Sequence, residues 1–117
     1  MKLYDHFEVE NPSNLPTIND LEEYEQQYNN LLNSNVSDEE KGDSLNKFGL
    51  YLWKTGDEML SDKSSPKEVS DKALTLGIKF LLESEKLGNL SSKKILDSLK
   101  YYGYKNYFPS EYSKKHL

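Results

Sequence analysis

The chain has 117 residues and no cysteine. That absence excludes disulfide scaffolds, thiolate zinc sites and cysteine nucleophiles together, and it fits a reducing compartment. Arginine is missing too, since all 15 basic residues are lysines. The rigid guanidinium fork, the usual tool for bidentate recognition of phosphates and base edges, is therefore unavailable. Together with the many asparagines, the lysine bias points to an AT-rich, bacterial coding sequence. Six glycines and four prolines are too few for a disordered chain or a many-turned β fold. There are two histidines, His6 and His116, each beside an end of the chain and without a second histidine one helical turn away. No Gly-x-Ser-x-Gly elbow, phosphate-cradling loop or dinucleotide fingerprint occurs, so neither a catalytic constellation nor a cofactor is expected.

Long hydrophobic runs are also lacking. The most apolar stretch, residues 74–82, is broken by Thr75, Gly77 and Lys79. It is far short of the ~20 apolar residues that a membrane-spanning helix needs. The first eight residues carry no apolar core, so no secretory signal is expected, and the expected location is the cytoplasm. The length suits one domain able to bury a modest core unaided.

Charge, by contrast, is plentiful and uneven. Charged residues make up 30% of the chain, with a net charge of −5. Residues 1–62 hold 14 acids against 4 lysines, and residues 63–117 hold 6 acids against 11 lysines. Such an asymmetry can orient a protein toward a charged partner; it equally describes two solvated helix faces of different composition. The acids cluster at Asp20, Glu22, Glu23 and Glu25, and again at Asp38, Glu39, Glu40 and Asp43. Carboxylate pairs can serve acid–base or metal chemistry. Here they fall on helix faces expected to be exposed, where burial cannot raise their pKa. The ligand spacing of a calcium loop is absent as well.

Periodicity predicts an all-α chain of four to five helices. Residues 1–16, with two prolines, read as an irregular segment, onto which Leu3, Tyr4 and Phe7 could tie the terminus. A first helix is predicted over 18–33, capped by Thr17 with Asp20, burying Leu21, Tyr24, Tyr28, Leu31 and Leu32. A second starts at the Ser37/Glu40 capping pair and runs to Thr55, with Gly56 as its stop. Leu45, Phe48, Leu52 and Met59 mark one side of it, Leu50 and Trp53 another. Residues 57–65 then read as a polar connection. A third helix is predicted from Ser65-Pro66 to Leu87, with Gly88 as the stop. It carries two apolar stripes, Val69-Ala73-Leu76-Phe80 and Leu74-Ile78-Leu81-Leu82. A helix apolar on two faces is packed on two sides, which implies a layered stack. A fourth spans 90–102, stopped by Gly103, with Ile95, Leu96 and Leu99 inward, and a short last helix starts at Pro109. Gly49 in mid-helix costs roughly 1 kcal/mol against alanine. Gly49 and Gly77 predict close helix–helix approach as the compensation.

One stretch has a recognisable pattern. Ser44, Phe48, Gly49 and Leu52 follow the small–large–Gly–aromatic spacing of one helix. Lys72 and Ala73 open the next, and Phe80, Ser84, Gly88 and Asn89 close it. Ser92, Leu96 and Gly103 begin a further round. Over residues 43–103 this resembles a tetratricopeptide-like repeat of the Sel-one-like type. Leu52 stands where that family has an aromatic, and Asp97 where it has a glycine. The resemblance implies a short stack of helical hairpins. Fewer than three repeats need caps, for which the acidic first helix and the aromatic residues 104–117 are the natural choices.

The end of the chain is the most unusual in composition, with five tyrosines and a phenylalanine between residues 101 and 112 and lysines interleaved. Tyr101, Tyr104 and Tyr107 could cap the core, anchor a partner protein, or stack single-stranded bases. The negative net charge and missing arginines weigh against nucleic acid. These features lead to the expectation of a protein-binding module without catalysis or membrane attachment. More specifically, they suggest an immunity protein that neutralises a basic toxin domain, since small helical domains of the Sel-like kind occur in that role. The candidate contacts are the eight acids above together with Tyr101, Tyr104 and Tyr107. The alternative expectations are a repeat-type adaptor holding a peptide in its groove and a weak single-strand binder using its Tyr/Lys tail.

Overall fold

A computed structural model describes residues 17–62, 66–101 and 103–108. The irregular segment 1–16, the caps at Ser65, the helix at Pro109, Tyr102, and both histidines lie outside the described residues. Four α-helices follow in order: α1 (Ile18–Leu32), α2 (Asp38–Ser61), α3 (Lys67–Lys86) and α4 (Leu90–Tyr101). A 3-10 turn over Lys105–Tyr107 comes after them, and no strand occurs among the described residues.

The helix ends are set by local chemistry. Thr17 and Asp20 form a reciprocal capping box on α1. At α2 the Ser37 hydroxyl accepts from the Glu40 amide, closing half of such a box. The end of α3 is a Schellman motif: Asn89 N–H donates to the Ser84 carbonyl and Gly88 N–H to that of Glu85. Gly88 there takes φ +94°, and Gly103 takes φ +95° just beyond α4, the left-handed values that favour glycine.

Gly56 does not stop α2. The helix continues to Ser61, and the expected polar connection from Asp57 is helical, with Met59 buried and Leu60 exposed. The reason is packing. Gly56 is buried against Leu74, whose Cγ would lie 2.8 Å from an added Cβ. It belongs to a series: Gly42, Gly49 and Gly56 on α2 and Ser70, Gly77 and Ser84 on α3 are each spaced by one heptad, with Gly49 against Gly77 and Gly42 against Ser84. All six are buried. At the centre, a Cβ on Gly49 would stand 2.7 Å from the Gly77 carbonyl oxygen, and one on Gly77 2.8 Å from that of Gly49. At one end Ser84 Oγ donates to the Gly42 carbonyl at 2.5 Å. The two antiparallel backbones therefore touch along a seam of small residues, as the glycines at 49 and 77 predict.

This α2–α3 pair is covered on both sides. On one side Leu21 and Tyr28 of α1 pack against Leu45, Phe48, Leu52, Met59, Val69, Ala73, Leu76 and Phe80. Tyr28 stacks on Phe80 with ring centroids 4.7 Å apart. On the other side Leu96 and Leu99 of α4, with Phe108, pack against Ile78 and Leu81. The two stripes predicted on α3 thus serve two separate clusters, and the chain is an all-α layered stack.

Candidate functional site

The eight candidate acids do not form one surface. Asp20 is spent on its cap, accepting from the Thr17 amide at 2.9 Å. Glu22 and Glu23 are exposed on α1. Glu25 instead turns toward α3, lying 3.4 Å from Lys79 and 3.9 Å from Lys72. It holds α1 against the body, and Lys79 in turn sits 5.0 Å over the Tyr28 ring.

Asp38, Glu39 and Asp43 do come together. They line a notch of about 390 Å³ between the start of α2 and the α3–α4 turn, whose other wall is Leu87, Gly88, Asn89 and Leu90. Glu40 is exposed on the same first turn. Carboxylates in the first turn are favoured by the positive end of the helix, so the cluster also stabilises α2.

The notch rests on a hydrogen-bonded floor. Asn89 caps α4 by accepting from the Ser92 amide at 2.9 Å, and its amide group donates to Asp43 at 3.0 Å. Ser92 Oγ lies 2.8 Å from Ser84 Oγ and 2.7 Å from Asn46 Oδ1, so one hydroxyl proton can serve either. Ser84 passes the chain to Gly42. Ser84 and Ser92 are fully buried, so three helices are pinned together beneath the acids. In the notch wall Leu90 is 72% exposed. The result is a preformed acidic concavity with an exposed leucine in its wall. Sequence reasoning listed the acids but missed Leu90 and the Ser/Asn floor. The floor depends on the register of the seam, which only the heptad of small residues signals.

The tyrosines divide likewise. The Tyr104 hydroxyl donates to Asp57 on α2, and its ring meets Trp53 edge-on at 5.6 Å. The carboxylate acceptor, with burial second, pushes the Tyr104 phenol up to about 12. The Tyr107 hydroxyl donates to Asp71 on α3 at 3.1 Å. Burial, then that bond, raises the Tyr107 phenol. Asp71 is held below its ordinary value, chiefly by the bond from Lys67 at 2.9 Å. Tyr104 and Tyr107 therefore latch the tail onto α2 and α3, the capping role among the three expected, whereas Tyr101 is 84% exposed.

Among the described residues, no three carboxylates or imidazoles converge closely enough to hold a metal ion, and no helix is long and apolar enough to cross a membrane. In comparison with known proteins, no family model, no curated protein and no solved structure matches the chain.

Proposed function

We propose that this protein is a binding module for a basic protein, acting as an immunity protein that covers the active site of a toxin domain such as a nuclease. The observation that supports this reading is the notch: Asp38, Glu39 and Asp43 converge beside exposed Leu90 on a fixed floor. Interfaces concentrate their energy in apolar anchors ringed by charge, and complementary charge accelerates encounter. A preformed floor also limits the ordering that binding must impose. Glu22 and Glu23 extend the negative field over α1, while Glu25 acts inside the fold through Lys72 and Lys79.

The test uses the full chain as bait for proteins of its native host, followed by titration of the purified partner. The expected partner is basic and loses its toxic activity in the complex. The pair Asp38→Lys and Glu39→Lys lowers the association rate roughly tenfold at low salt and flattens its salt dependence. A partner that is acidic, that keeps its activity in the complex, or whose association the reversal leaves unchanged would overturn the reading. Glu25 is left intact in this design, because its reversal would break the ion pairs that seat α1.

A further inference from the structure

A second concavity lies further along α2, on the side that α4 only partly covers. It encloses about 570 Å³ and is lined by Leu50, Trp53 and Asp57 of α2, Ile95 and Leu99 of α4, and Tyr104. The lining is mostly apolar, and Leu50, Trp53 and Ile95 are only partly buried. Asp57 is the acid on its floor, and it already accepts from the Tyr104 hydroxyl. The Trp53 indole N–H is buried with no acceptor among the described residues, so packing alone holds that ring. A wall of this kind adapts to an apolar occupant at little polar expense.

The chemistry of the occupant follows from the walls. Both are helices, whose backbone groups are bonded internally, so the groove offers no sheet edge for an extended strand to pair with. A helix satisfies its own backbone, so it is the polypeptide form that such a groove seats without supplying backbone partners. The length from Leu50 to Asp57 matches about two helical turns. Charge on the rim sets the flanks. Lys47 and Lys54 lie one turn from Leu50 on α2, Lys94 lies one turn before Ser98 on α4, and all three are exposed. Glu58 is the acid that opposes them on α2.

We infer that this groove binds an amphipathic helix of a partner protein, with its apolar stripe over Leu50, Trp53 and Ile95 and carboxylates flanking that stripe toward Lys47, Lys54 and Lys94. This goes beyond the reading of the notch and does not depend on it, for the two surfaces differ in charge, lining and partner.

The chain's single tryptophan, Trp53, reports occupancy directly. The probes are two labelled helical peptides about five turns long, with the same Leu/Phe stripe and either glutamates or lysines on its flanks. The Glu-flanked peptide is expected to bind saturably, to shift Trp53 emission to the blue, and to bind roughly tenfold tighter than the Lys-flanked one, the effect of two or three screened charge pairs. Ile95→Glu weakens it by at least that factor. Ser98→Glu does the same from an exposed position on the groove wall that leaves the core untouched, with far-UV circular dichroism confirming the fold. The Asp38→Lys, Glu39→Lys variant binds it as wild type does. Absence of any Trp53 shift, equal or tighter binding of the Lys-flanked peptide, or full binding by Ser98→Glu would overturn the inference. None of these results bears on the notch.

Discussion

Adding one methyl group at the centre of the seam should separate packing from helix propensity. Alanine in place of glycine favours an exposed helix interior by about 1 kcal/mol. At Gly42 an added Cβ meets its nearest neighbour, Asn89 Cβ, at 3.5 Å, an ordinary contact. Gly42→Ala therefore gains much of that propensity, about 0.5–1 kcal/mol. At Gly77 the same methyl would lie 2.7 Å from the Trp53 backbone nitrogen and 2.8 Å from the Gly49 carbonyl oxygen. Both neighbours are backbone and cannot rotate away. Restoring 3.4 Å, the lower edge of ordinary contact, requires α2 and α3 to part by about 0.7 Å there. A gap of that size forfeits roughly a quarter to a half of each dispersion contact along the seam. Overpacking a close-fitted interior costs about 1–3 kcal/mol, and two rigid walls place this site near the top of that range. Net of propensity, Gly77→Ala loses about 2 kcal/mol. For a domain of this size that lowers Tm by about 8 °C, whereas Gly42→Ala raises it by about 3 °C. Urea unfolding followed by Trp53 fluorescence and by circular dichroism measures both. If Gly77→Ala proves as stable as wild type, the seam is not a backbone contact and the register drawn from it is wrong.

Further expectations concern the floor and the tail. Ser84→Ala removes the buried hydroxyl that donates to the Gly42 carbonyl, while Ser92 keeps Asn46, a loss of about 1 kcal/mol in urea unfolding. Asn89→Ala removes the α4 cap and costs about 1 kcal/mol. Tyr104→Phe keeps the ring on Trp53 but loses the bond to Asp57, about 1 kcal/mol at neutral pH for a half-exposed pair. Because the folded Tyr104 phenol titrates at about 12 rather than 10.0, its contribution is complete below pH 10 and is lost as pH rises from 10 to 12. Absorbance titration should find it and Tyr28, raised to about 12 chiefly by burial, among the last tyrosines to ionise. Asp71 runs the other way: its lowered pKa contributes above the ordinary carboxylate value and is lost on acidification through the folded value.

Much of the fold was legible because its signals are local. Thr17–Asp20, Ser37, Gly88 and Gly103 act within one turn of a helix end, and the stripes on α3 repeat at helical spacing. Gly56 misled for a physical reason. Glycine ends a helix when it adopts positive φ, and it sits mid-helix when a neighbouring backbone comes close; the residue is the same in both cases. Only its place in the Gly42–Gly49–Gly56 series distinguishes them. The site was less legible, because charge counts do not tell which carboxylates meet. Glu25 looked like its neighbours Glu22 and Glu23, yet two lysines more than forty residues away in sequence bind it. Leu90, read only as the start of α4, stands exposed at the notch.

The two concavities share a wall, and that suggests how their functions can be separated. α4 contributes Leu90 to the notch and Ile95 and Leu99 to the groove. Its N-terminal end is fixed by Asn89 and Ser92 to α2 and α3, and beyond its C-terminal end the chain is fixed by Tyr104 and Tyr107 to Asp57 and Asp71. Tyrosines that merely latch the tail should matter to the groove and not to a partner seated in the notch. Tyr104→Phe with Tyr107→Phe is therefore expected to weaken the Glu-flanked peptide severalfold while leaving affinity for a basic partner within about twofold, a change under 0.5 kcal/mol. Asn89→Ala should give the opposite pattern, since it frees Asp43 and the turn that carries Leu90. A loss of basic-partner binding in the tyrosine pair, with the notch floor intact, would show that the aromatic tail is itself a contact and would move the proposed interface from the start of α2 to the end of the chain.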